Sequence, residues 1–111
     1  VILAGDISHD LGILRETLGL FAGKYRHVFY TPGNHDLWCH RADGCKDSLE
    51  KLRKILALCA ELGVHTEPKD VGGGVFVVPL LSWYERGFDA DPDVVDDEIA
   101  PVEKAMSDFH L

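Results

Sequence analysis

The chain has 111 residues, 46% of them hydrophobic, with 11 Lys and Arg against 19 Asp and Glu and a formal net charge of −8. That is one domain's worth or a part of one, apolar enough to bury a core, so wholesale disorder is excluded. An acidic surface without a basic run repels the phosphate backbone and disfavours nucleic acid as a partner, whereas clustered carboxylates suit divalent cations.

Three cysteines, Cys39, Cys45 and Cys59, cannot all pair within one chain. The odd count points to a reducing, cytoplasmic setting. No apolar run reaches the length of a membrane span, and no signal peptide is visible. The pattern specifies no oligomeric state.

The opening Val1-Ile2-Leu3-Ala4 reads as a strand buried on both faces, ended by Gly5-Asp6. Leu11, Leu14, Leu18, Phe21 and Tyr25 recur at offsets of three and four and predict a helix, with Ser8 as N-cap and Gly23 as its stop. Gly12 and Gly19 each weaken it by roughly 1 kcal/mol relative to Ala. His27 to Thr31 is a second strand, cut off by Pro32-Gly33. Together these form a βαβ unit. Asp6 and Asn34 then lie just past the carboxyl ends of two parallel strands, the edge where open α/β sheets gather ligands.

A loop from Leu37 to Lys46 follows, then a second helix with Asp47 as N-cap and Glu50 at capping-box spacing. Leu49, Leu52, Leu56 and Cys59 form its expected buried stripe, flanked by Ile55 and Leu62, and Gly63 ends it. Gly72-Gly73-Gly74 is a turn before the strand Val75 to Val78, with Val64-His65-Thr66 as that strand's expected partner. Pro79 to Tyr84 reads as a strand leading into a loop. Asp89 to Asp97 is an acidic solvated run, and a final helix is expected near Glu98 to Phe109. His9 and Asp10 open the first helix; Cys39, His40, Asp43 and Cys45 match no zinc spacing and read as solvated loop residues.

Two loops carry chemistry: Gly5-Asp6-Ile7-Ser8-His9-Asp10 and Gly33-Asn34-His35-Asp36. Hydrolysis of a phosphate ester at neutral pH needs a strong nucleophile beside an anion that repels it, and a pair of metal ions meets both needs. Asp6 offers two carboxylate oxygens to such a pair and Asn34 a neutral amide oxygen. His35 is placed to hand a proton to a departing alkoxide, and Asp36 to hydrogen-bond that imidazole and fix its tautomer.

Placed after apolar strands and joined by a helix, Gly5-Asp6 and Gly33-Asn34-His35-Asp36 resemble the paired motifs of the calcineurin-like metallophosphoesterase family. The resemblance covers Val1 to about Trp38. It implies an α/β fold, a βαβ-containing part of a two-sheet sandwich flanked by helices. It further implies hydrolysis of phosphate esters at a dinuclear centre of two divalent metals (Mn, Fe or Zn), with Asp6 and Asn34 as metal ligands. His35 would be the proton donor, oriented by Asp36. The family's upstream Asp-x-His and downstream Gly-His-x-His motifs are not found in the chain. The expectation is therefore a partial phosphoesterase domain over residues 1–111, lacking both ends and holding an incomplete site. The rival expectation is a non-catalytic scaffold or interaction module built on the same fold, which the absent flanking motifs favour.

Overall fold

The computed structural model describes residues 1–40, 43–83, 100 and 102–105. Its elements run β1 (Ile2–Leu3), α1 (Leu11–Ala22), β2 (Phe29–Tyr30), a 3₁₀ turn (His35–Leu37), α2 (Ser48–Leu62), β3 (Lys69–Gly72), β4 (Val75–Val77) and α3 (Val102–Ala105). The expected acidic run and most of the last predicted helix lie outside the described residues, as does Tyr84.

β1 and β2 pair in parallel, Ile2 opposite Phe29 and Leu3 opposite Tyr30, which is the expected βαβ unit. His65 continues this sheet on the far side of β2. Tyr30 N donates to His65 O at 3.0 Å and His65 N to Val28 O at 2.8 Å. The segment expected to partner Val75 to Val78 thus belongs to the parallel sheet instead. β4 takes β3 as its antiparallel partner, joined through Gly72 to Gly74. The reason is local: three successive glycines at positive φ fold β4 straight back onto the residues just before it. The structure is a mixed α/β arrangement of two small sheets.

The central strand is buried, with Val28, Phe29 and Tyr30 at 3% exposure or less. Leu14 and Leu18 of α1 pack on it with Ile55, Leu58 and Cys59 of α2. Each fully buried aliphatic side chain contributes about 2 kcal/mol. Burial also pushes the Cys59 thiol up to about 11, so this cysteine is an inert core residue. β1 is the exception to the expected two-sided burial. Ile2 is 64% exposed, because no described element covers its outer face.

Two helix expectations need correction. Asp10, not Ser8, caps α1, accepting from Gly12 N at 2.7 Å and Ile13 N at 3.0 Å. Ser8 Oγ in turn accepts from Asp10 N. In α2 the buried face is Lys51, Ile55, Leu58 and Cys59; of the expected stripe Cys59 is buried and Leu52 packs partly buried on the core, while Leu49 and Leu56 are exposed. A leucine-rich helix carries two apolar stripes, and the one centred on Ile55 and Leu58 is the one that reaches the core. The capping residues of α2 are as read: Asp47 Oδ1 accepts from Glu50 N at 2.7 Å, and Gly63 ends the helix in the left-handed conformation, but the Glu50 side chain accepts from Lys46 N at 3.3 Å, one residue before the cap. No helix among the described residues is long and apolar enough to cross a membrane.

Candidate active site

Both motif loops leave the carboxyl edge of the parallel sheet and meet there. Their backbones touch. A methyl group on Gly5 would stand 2.3 Å from Gly33 N, and one on Gly33 would stand 2.1 Å from Asp6 Oδ1. Only residues without a Cβ permit that approach. Asp6 itself sits at φ 53°, a left-handed conformation that Asp tolerates better than most residues.

Asp36 is what holds the loops together. Its carboxylate is fully buried and accepts four backbone N–H groups. Oδ2 takes Asp6 N at 2.8 Å and Gly33 N at 2.9 Å; Oδ1 takes Ile7 N at 2.8 Å and Ser8 N at 2.9 Å. A carboxylate has about four lone-pair sites, and all are in use. The expected contact between Asp36 and the His35 imidazole is therefore corrected: the carboxylate points inward and acts as a clasp on main-chain amides. The His35 ring stacks instead on Trp38, centroids 3.9 Å apart and planes 25° apart. The aromatic three residues after His35 was the available sequence signal for this support.

Asp6 turns its carboxylate onto the second loop, where Oδ1 accepts His35 N at 3.2 Å. The side chain of Asp6 thus lies on the turn that carries Asn34 and His35. Asn34 also lines a cleft of about 670 Å³ walled by Trp38, His40, Leu49, Leu52 and Trp83. A second cleft of about 620 Å³ lies beyond, between Thr31, Leu56, Pro68 and Leu81.

Beneath the clasp, Tyr30 is 1% exposed. Burial first, and then the Asp36 carboxylate, raise the phenol above its ordinary value. Oη has no partner within hydrogen-bonding geometry.

Sequence reading missed one further residue. Lys51 of α2 is fully buried, and its Nζ donates to the carbonyls of His9 and Trp38 and to Asp43 Oδ2 at 2.7 Å. Asp43 accordingly departs from the expected solvated loop, being 11% exposed. Burial opposes its ionisation. The hydrogen bonds from Lys51 and from His40 N outweigh that and hold the carboxyl below the ordinary carboxylate range. This contribution to stability is present above about pH 4 and lost as pH falls through the depressed value. The signal was an ion at a core register of α2, four residues before Ile55 and seven before Leu58. His9 and His40 face each other across this region with ring centroids 4.3 Å apart.

In donor chemistry, the Asp6 carboxylate and Asn34 amide suit a hard or borderline divalent cation in kind but not in number. Among the described residues no group of three or more His, Cys, Asp and Glu gathers to hold a metal.

Comparison with known proteins finds a similar sequence and a similar fold. The chain is similar to the acyl-carrier-protein phosphodiesterase PptH of Mycobacterium tuberculosis, 30% identical over 95 residues. That match spans 79% of this chain and 29% of the relative. In structure it is similar to the phosphopantetheinyl hydrolase PptH from the same organism, with a TM-score of 0.65 and 22% identity. The overlap takes in 93% of this chain and 42% of that one, so the likeness establishes the fold. No family model matches.

Proposed function

We propose that the chain is the central part of a metal-dependent phosphoesterase of the calcineurin-like type, within a complete domain built as a two-sheet sandwich. One observation carries the reading. Asp6, held in a left-handed conformation, lays its carboxylate on the turn that bears Asn34 and His35. A non-glycine residue in that conformation needs surroundings that over-determine it, and such residues concentrate at functional sites. Here the surroundings are the Asp36 clasp and two glycines. The likeness to a protein named as a phosphodiesterase supports the same chemistry.

Asp6 and Asn34 would hold the divalent metals, with further ligands from outside this chain's described residues. Bound there, the metals supply Lewis acidity and an activated water. Asn34 contributes oxygen without charge and so limits the repulsion met by an incoming phosphate. His35, steadied by Trp38, delivers a proton to the departing oxygen. Asp36 is assigned to shaping the loops rather than to proton transfer. A phosphodiester carrying an organic arm is the first substrate class to test, with the cleft at Asn34 as the place for the arm.

The test uses the full-length protein with Mn²⁺ and an aryl phosphodiester. His35→Ala is expected to lower kcat by about 10²–10⁴-fold with metal content unchanged. Equal turnover by wild type and variant removes His35 from the reaction. A wild type that takes up no metal and cleaves neither mono- nor diester returns the chain to the scaffold reading.

A further inference from the structure

We infer that Lys51 is a positioning residue that sets the spacing of the two motif loops. Its ammonium has three donors, and all three are placed on different chain segments: the carbonyl of His9, the carbonyl of Trp38 and the carboxylate of Asp43. His9 lies three residues beyond Asp6, and Trp38 three beyond His35, on whose ring it stacks. One cation therefore grips the far end of each loop, while Asp36 grips the near ends.

The placement is unfavourable on other grounds, which argues for a specific role. Lys51 is the fourth residue of α2, close to the helix's positive end, where a cation is disfavoured. It is fully buried, and an apolar residue of like volume would serve folding as well or better. What an apolar residue cannot do is bind two carbonyls from separate loops at once. Asp43 offsets the charge and is itself tied down, since Lys54 Nζ donates to the carbonyls of Asp43 and Gly44 at 3.1 Å.

The inference rests on the proposed phosphoesterase reading for its effect on turnover, but its structural half is tested independently. Deuterium exchange is compared between full-length wild type and K51M. Exchange is expected to quicken by about tenfold or more over residues 6–9 and 35–40, with the amides around Leu14 and Leu18 unchanged. In the same variant kcat is expected to fall by about 10²-fold while KM stays within about threefold, the split that misplaced groups produce. K51Q, which keeps two donors, is expected to fold and to recover part of both. Uniform quickening across α1, no quickening at all, or a K51Q chain that fails to fold would each assign Lys51 to bulk stability and overturn the proposal. Should wild type cleave no phosphate ester, the phosphoesterase reading fails while exchange alone still decides the role of Lys51.

Discussion

The carboxyl edge of the parallel sheet and the β3–β4 hairpin turn the chain by opposite means. At the sheet edge, turns are held by side chains remote in sequence: Asp36 reaches amides up to 30 residues away. The hairpin turn relies on three glycines beside its own ladder and a local bond from Gly72 N to Asp70 Oδ1 at 2.7 Å. Its large side chains are open, with Phe76 at 65% and Val75 at 54% exposure. Long-range clasps tie remote segments to one another, as a reacting site needs; local turns reverse the chain.

Asp36→Asn tests the clasp hardest. One carboxylate oxygen becomes an amide nitrogen, so two buried backbone donors lose their acceptor, at roughly 1–3 kcal/mol each. Chemical denaturation of the full-length protein is expected to report a loss of about 2–6 kcal/mol. A loss under about 1 kcal/mol would mean the loops keep their places without it. Gly5→Ala ranks next. It adds a Cβ against Gly33 N and demands φ 81° of an L-residue, so about 2–5 kcal/mol is expected. Phe76→Ser, at the exposed hairpin, should change stability by no more than about 0.5 kcal/mol in the same assay. A larger loss there would show that the hairpin face is covered in the complete protein.

What the sequence disclosed follows from period and punctuation. The βαβ unit, the stops at Gly23 and Gly63, the Asp47 cap and the hairpin glycines are local signals, and the structure keeps them. The two motif loops were readable because strand ends fix where their residues emerge. The face of α2 was not, since Leu49-Leu52-Leu56 and Ile55-Leu58-Leu62 are both apolar stripes and periodicity cannot choose between them. Nor were Asp36 and Lys51. Adjacency suggested that Asp36 serves His35, but its partners are main-chain amides, which carry no sequence signature. Lysine is assigned to solvent by default, and only its place in line with Ile55 and Leu58 marks it as interior.

The spatial order of β1, β2 and His65 follows the order of the chain. Each segment emerging from a ribosome can dock beside the one made before it. Each addition still closes a loop, Ile2 onto Phe29 and then Phe29 onto His65, and parallel pairings over such separations form slowly. Residue 36 must arrive as well, its carboxylate finding amides 28 to 30 residues upstream. Until it does, the amides of Asp6, Ile7 and Ser8 have no carboxylate to fix them.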